Sequence, residues 1–249
     1  MTNSKSFSYI NILCLDRSHS TIANEFLAEE LNGIALGEVA RIIAPKGKEA
    51  NYFLQEHNCS CGKIASVCLF WGDILKSREV WKTYSGKILV SKNLYIDSSK
   101  TIKHSRFVRK HFENGRLASV YLVRDFSSWS QSVLSAMQRN GEGRFGDIFG
   151  DKQFIFSNFR LFLRNIKLFR YLEYIINNIR LILESRKYKV SYMVGSSVEL
   201  NIPKLCGEKY ESHMLRGNRV KNKNEKMHKW DSGQDLNIGL FKLIWTLAG

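Results

Sequence analysis

Residues 8–31 read SYINILCLDRSHSTIANEFLAEEL, and their pattern sets the fold class. The stretch at 8–15, SYINILCL, is a short apolar run bounded by polar residues. It suits a strand buried on both faces in a parallel sheet better than one with a wet face. DRSHST then turns the chain. In TIANEFLAEEL, Ile22, Phe26 and either Leu27 or Leu31 fall at helical spacing, so the strand leads through a turn into an amphipathic helix. A helix N-terminus reached in this way presents unpaired N–H groups and the positive end of the helix dipole, which suits a phosphate or sulfate. Arg17, Ser18, Ser20 and Thr21 add a cation and hydroxyls to that turn. The plainer alternative is a Ser/Thr N-cap with Arg17 in solvent. No Gly lies between Cys14 and Asn32 and G-x-x-x-x-G-K-[ST] is absent, which disfavours a standard nucleoside triphosphatase or a P-loop-like kinase.

Working outward, NLYID at 93–97 and ASVYLV at 118–123 repeat the strand signal, each followed by polar residues and a helical pattern. KVSYMVG at 189–195 is a further strand candidate. Parallel α/β follows from this alternation. The spacing of Phe159, Phe162, Ile166, Phe169, Leu172, Ile176, Ile179 and Leu183 predicts a long helix with that apolar stripe toward a globular core and basic residues elsewhere. A membrane-surface helix is the alternative. The basic run RGNRVKNKNEKMHK at 216–229 reads as a mobile loop. A terminal amphipathic helix follows, carrying Leu240, Leu243 and Ile244.

At 249 residues, 44% of them hydrophobic, the chain suits one α/β domain spanning 1–249. Its net charge of +15 favours anionic partners, whether nucleic acid, acidic lipid or a multiply charged nucleotide. The apolar window at 159–183 is broken by Arg160, Arg164, Lys167, Arg170, Glu173 and Arg180, so no transmembrane helix is expected. The polar opening MTNSKS and an odd set of five cysteines point to a reduced, cytoplasmic setting, with peripheral membrane association as an option. Cys59, Cys61 and Cys68 invite a zinc reading. C-x-C followed by a third Cys lacks a second C-x-x-C or paired His at the usual spacing, so packing thiols are expected and no metal site.

Two turns carry the chemistry. Arg17-Ser18-His19-Ser20-Thr21 follows the first strand, and VRDFSSWSQS sets Arg124 at a later strand end with Ser132 inside the following helix, where the two could hold a second phosphate. Together they resemble the sulfotransferase family, with its RSGST loop for the 5'-phosphosulfate and its RDPxxxxxS motif for the 3'-phosphate. YIDSSK at 95–100 is similar to the DSSK segment of bacterial members. HMLRGNRVK at 213–221 resembles their H-x-x-x-GN-x-x-R loop, and CSCGKIASVCLFW at 59–71 their Cys-rich segment. The order along the chain agrees, over roughly residues 8–221. His19 replaces the central Gly, Phe126 the Pro of RDP, Arg219 the usual Pro of the GN loop, and Lys221 its final Arg.

The resemblance implies a P-loop-like three-layer fold with a central parallel sheet flanked by helices. It also implies a sulfuryl donor, 3'-phosphoadenosine 5'-phosphosulfate (PAPS), with no metal required. Arg17, Ser18, His19, Ser20 and Thr21 would hold the 5'-phosphosulfate. Arg124 and Ser132 would hold the 3'-phosphate, and Gly217, Asn218 and Lys221 would complete the nucleotide site. Glu38, in a segment similar to one carrying a catalytic Glu in tyrosylprotein sulfotransferases, would be the base, with Arg17 and Lys100 as catalytic cations. A solvated surface glutamate is the alternative, and His57 and His104 are further candidates for the base; on a helix, Lys100 and His104 would share a face. The acceptor would be a hydroxyl or amine, with a carbohydrate or glycolipid favoured. Two other readings remain: a nucleotide-binding homologue without catalysis, and a basic nucleic-acid-binding protein. The latter lacks an RNP1-like motif, a zinc finger and a helix-turn-helix pattern, so no nucleic-acid partner is expected.

Overall fold

Every residue of Tyr9–Cys14, strand β1, is buried, as a strand in mid-sheet must be when both faces are covered. The computed structural model describes residues 7–43, 58–112, 117–139, 166–195 and 211–214. Around β1 the chain runs through α1 (Ser20–Glu30), β2 (Ile34–Gly37), α2 (Val39–Ile43), a 3-10 turn (Ala65–Val67), α3 (Trp71–Lys76) and α4 (Val80–Val90). It continues through β3 (Tyr95–Asp97), α5 (Ile102–His111), β4 (Leu117–Val123), α6 (Phe126–Arg139), α7 (Lys167–Ser185), β5 (Val190–Gly195) and β6 (Glu211–Ser212). The strands form one sheet in the order β5-β4-β1-β3-β2-β6, and every pairing is parallel. β1 and β4 stay in register from Tyr9↔Leu117 to Cys14↔Leu122.

The strand alternation divides the core in two. Tyr9, Leu13, Leu36, Tyr95, Tyr121 and Val123 face a cluster built with Trp71, Ile74, Tyr84, Val108, Tyr174 and Ile182 from the helices. Ile10, Ile12, Cys14, Ala35, Ile96 and Val120 point the other way and pack with Ala23 and Ala28 of α1. Helices therefore cover both faces of a parallel sheet, the α/β arrangement expected from the sequence. No helix among the described residues is long and apolar enough to cross a membrane.

Two helices bury a face other than the one predicted. In α1 the buried positions are Ser20, Thr21, Ala23, Asn24 and Ala28, while Leu31 is 48% exposed and Ile22 and Phe26 are half-buried. Small side chains let the helix approach the sheet closely enough for the Asn24 amide to donate to the Ile96 carbonyl at 3.0 Å. In α7 the buried positions include Arg170, Tyr174, Asn178, Leu181, Ile182 and Ser185, whereas Phe169, Leu172, Ile176 and Leu183 of the predicted stripe are exposed. The buried face is fixed by polar ties instead. Arg170 donates to the Ser130 hydroxyl at 2.9 Å, and Tyr121 donates to Asn178 at 2.6 Å. Hydrogen bonds of this kind pair buried polar groups that would otherwise be stranded, a cost that outweighs a few exposed leucines.

Candidate active site

The carboxyl ends of β1, β2, β3 and β4 converge at the point where the chain connects to opposite sides of β1, the place where open parallel sheets bind ligands. Here the chain leaves β1 through Leu15, Asp16, Arg17, Ser18 and His19. Arg17 and His19 both have left-handed backbone, at φ 69° and 57°. His19 is the N-cap of α1, and no side chain caps the helix. The Ser/Thr cap of the plainer sequence reading is thus not what begins α1. Left-handed geometry costs a non-glycine residue about 1–2 kcal/mol, so His19 occupies a conformation that the glycine of an RSGST loop would take freely. Ser18, Ser20 and Thr21 are buried beside it.

The turn is held from the far side of β1. Arg124, directly after β4, donates from Nη1 to the Arg17 carbonyl. The Trp129 indole donates to the Asp16 carbonyl at 3.0 Å, and Tyr174 donates to the Arg124 carbonyl at 2.7 Å. Burial, and then the neighbouring Arg124 charge, pushes the His19 imidazole down to about 4, so it is neutral at pH 7. Burial lowers the Arg124 guanidinium to about 10, which leaves it charged. The two turns, at the ends of neighbouring strands β1 and β4, are therefore tied to each other. Phe126, standing where RDP has its proline, begins α6 and packs edge-on against Tyr171 and Tyr174, with centroids 5.0 and 5.4 Å away. Asp125 caps that helix by accepting the Ser128 N–H at 2.7 Å. Ser132 lies one and a half turns into α6 and is half-buried.

Glu38 and Lys100 meet at the ends of β2 and β3. Gly37, at φ 71°, turns the chain out of β2, and Lys100, at φ 63°, turns it out of the Asp97-Ser98-Ser99 segment. Lys100 Nζ donates to Glu38 Oε1 at 2.6 Å and lies 3.6 Å from Asp16. Arg41 holds the other Glu38 oxygen at 2.8 Å. Both carboxylate oxygens are engaged, and Glu38 is buried rather than a solvated surface glutamate. Burial alone would lower the Lys100 ammonium, but nearby Cys14, Glu38 and Asp16 raise it. Cys14 is a buried thiol raised to about 12, chiefly by burial, and stays protonated at pH 7. A cleft of about 270 Å³ opens here, lined by Asp16, Arg41, Ser99, Lys100 and, from α7, Arg180.

His104 is placed elsewhere. Lys100 precedes α5 with left-handed backbone, so the two do not share a helix face. The His104 ring binds Asp97 in the core, where Asp97 also accepts from Tyr9 at 2.6 Å. His57, Gly217, Asn218, Lys221, the 216–229 run and the predicted terminal helix lie outside the described residues. His213, first residue of the expected GN loop, has its side chain turned toward Cys59 and Cys68, with Nδ1 3.7 and 3.3 Å from the sulfurs.

Sequence reasoning missed three members of this site. In the sequence Asp16 is only part of a turn and Arg41 only part of the segment around Glu38. Arg180 is there only an interruption of an apolar helix window. A carboxylate directly after a strand was the one available signal, since Arg41 and Arg180 reach the cleft only through packing. Comparisons with models of known protein families, with curated proteins and with solved structures gave no match for this chain.

Proposed function

We propose that the protein transfers a sulfuryl group from PAPS to a hydroxyl or amine acceptor, with a carbohydrate or glycolipid as the favoured class. The observation that carries this reading is the tether between Arg124 and the Arg17 carbonyl. It puts the two turns side by side, beside a cationic cleft lined by Lys100, whose ammonium pairs with Glu38. The strand order, with β1 between β3 and β4, supports the P-loop-like description of the fold.

In this reading the turn at residues 17–21 takes the 5'-phosphosulfate on its N–H groups and hydroxyls, and the Arg17 side chain covers the bridging oxygen. Arg124 and Ser132 serve the 3'-phosphate, the feature that separates PAPS from unphosphorylated adenosine nucleotides. Glu38 takes the acceptor proton. The acceptor oxygen bonds to sulfur as the bond from sulfur to the phosphate oxygen breaks, and 3'-phosphoadenosine 5'-phosphate (PAP) leaves with those electrons. Lys100, now paired with Glu38, moves to the sulfonate as the donor binds, freeing Oε1 for the proton. Positioned charge of this sort supplies most of the catalysis in transfers that need no covalent intermediate.

Thermal-shift titration with PAP against AMP tests the nucleotide half, and radiolabelled transfer from PAPS to a panel of glycans, glycolipids and phenols tests the other. Stabilisation by PAP over AMP, with label on one acceptor class, is the expected result; failure of both nucleotides to stabilise the protein sinks the proposal. The strained His19 backbone favours one second reading, a nucleotide-binding homologue without turnover. That protein would respond to PAP and transfer no label.

A further inference from the structure

Cys59, Cys61, Cys68 and His213 bring their ligating atoms within 4.8 Å of one another. Cys68 Sγ lies 3.6 Å from Cys59 Sγ and 3.8 Å from Cys61 Sγ. Nδ1 of His213 lies 3.3 Å from Cys68 Sγ and 3.7 Å from Cys59 Sγ. A tetrahedral zinc ion with bonds of about 2.3 Å to sulfur and 2.0–2.1 Å to nitrogen separates its ligands by about 3.8 Å for S···S and 3.6 Å for S···N. These four of the six ligand–ligand distances cluster on those edges, and the other two stay within 4.8 Å. A disulfide between Cys59 and Cys68 needs sulfurs about 2.05 Å apart, far closer than the thiols stand.

The surrounding backbone holds the ligands independently of any ion. Cys59 N–H donates to the Lys63 carbonyl at 2.7 Å, and Gly62 N–H donates back to the Cys59 carbonyl at 3.0 Å. Gly62 is at φ 85°, a left-handed position that closes this tight turn and places Cys59 and Cys61 on one side of it. The segment at 211–214 is fastened to the turn from both directions. Ser60 N–H donates to the Met214 carbonyl at 2.9 Å, and Met214 N–H donates to the Ser60 hydroxyl at 2.7 Å. The Trp71 indole donates to the His213 carbonyl, and the Phe70 ring stacks on the imidazole with centroids 5.6 Å apart. Gly72 lets α3 pack closely on the 3-10 turn that precedes Cys68, since a Cβ there would stand 2.9 Å from the Ser66 carbonyl oxygen. A histidine rotamer locked by stacking and by its own backbone is the preorganisation that metal sites require.

We propose that Cys59, Cys61, Cys68 and His213 form a structural Cys₃His zinc site. Thiolate and imidazole ligands suit Zn²⁺, and four protein ligands leave no open position for a substrate. Binding deprotonates the three thiols, so one Zn²⁺ replaces three protons and the imidazole binds neutral through Nδ1. The ion joins residues 145 positions apart. It clips the short edge strand β6 against β2, where His213 N–H donates to the Ala35 carbonyl at 2.8 Å. Ala35 lies three residues before Glu38, so the zinc braces the strand that carries the proposed base.

The test uses the untagged full chain, expressed in zinc-supplemented medium and analysed for all metals by plasma mass spectrometry. About one zinc per chain is expected. After chelation, Co²⁺ titration should give the intense d–d bands and thiolate charge-transfer absorption of a tetrahedral site. His213→Cys should keep a tetrahedral spectrum with bands shifted toward four thiolates. Cys61 is exposed, so Cys61→Ser spares the core and tests ligation without unfolding. Its zinc affinity should fall by more than the roughly 100-fold upper limit for losing a second-shell partner. Its melting temperature should no longer respond to chelator, unlike that of the wild type. Metal-free protein from zinc-replete cells, a weak octahedral cobalt spectrum, wild-type affinity in Cys61→Ser, or a Cys59–Cys68 disulfide in the intact mass would each overturn the proposal.

Discussion

Replacing Glu38 by Gln tests the centre of the candidate site, because it removes one charge and keeps the shape. In the native protein Lys100 Nζ sits 2.6 Å from Glu38, and the two side chains are only 12% and 10% exposed. Removing one member of a buried ion pair costs about 3–5 kcal/mol when the other charge is left with nothing. Two features reduce that cost here. The Gln carbonyl still accepts from Lys100, at roughly half the strength of a charged acceptor, and Asp16 at 3.6 Å still offers a carboxylate. Asp16 is largely exposed, so its help is screened and small. The net expectation is a loss of about 2 kcal/mol, or a fall in Tm of roughly 4–8 °C for a chain of this length. Urea and thermal melts of wild type, Glu38→Gln, Lys100→Met and the double variant make a cycle. The double variant should be more stable than the sum of the two single losses, because it leaves no buried charge alone. A Glu38→Gln variant within about 0.5 kcal/mol of wild type, the usual range for surface changes, would refute the pairing argument. In transfer assays the same variant should keep PAP affinity and lose turnover; unchanged turnover removes Glu38 as base.

Three further outcomes follow from the same geometry. The folded-state pKa of His19 is depressed to about 4 against about 6.5 unfolded. Its contribution is therefore whole above pH 6.5 and is lost as pH falls toward 4. His19→Gly should gain stability relative to wild type on acidification from pH 7.5 to 4.5, and parallel pH profiles of Tm would contradict this. Arg124→Lys keeps the charge but loses the fork that reaches the Arg17 carbonyl, so PAP affinity should drop about 10–100-fold, as for a lost charged hydrogen bond. Calorimetry showing equal affinity would move the 3'-phosphate elsewhere. Glu184 accepts from Arg109 at 2.8 Å and from Ser105 at 3.1 Å. Burial alone would raise its carboxyl, but the Arg109 bond and charge hold it below the usual range. Its stabilisation is present above the unfolded value of about 4.3 and vanishes as pH falls through the folded one. The gap between wild type and Glu184→Gln in urea melts should narrow below pH 4.

Local pattern alone was enough for the strand-turn-helix unit at 8–31, for β3, β4 and β5, and for the parallel class. Those features depend on short continuous apolar runs and on residues that repeat at period 3.6, and a short window contains that information. Short windows also put Arg17 and Arg124 just past strand ends, where an apolar run gives way to charged residues, whereas Lys100 is singled out only by the resemblance of YIDSSK to the bacterial segment. Local pattern did not reveal β2, because two of the four residues in Ile34–Gly37 are Ala35 and Gly37, which carry little strand signal. It also assigned α1 and α7 the wrong buried faces. Apolar spacing assumes that the largest hydrophobes go inward, whereas α1 needs small residues for close approach and α7 is held by the Arg170, Tyr174 and Asn178 hydrogen bonds.

Partnership was decided by the tertiary structure. Glu38 and Lys100 are 62 residues apart, and their meeting depends on β3 inserting between β1 and β2. The thiols at 59, 61 and 68 read as packing residues because their fourth neighbour, His213, lies 145 residues beyond Cys68. Sequence spacing can specify ligands that share one turn. A ligand delivered by an edge strand is specified only by the hydrogen bonds that dock β6 on β2, since chain connectivity sets no distance over such a separation.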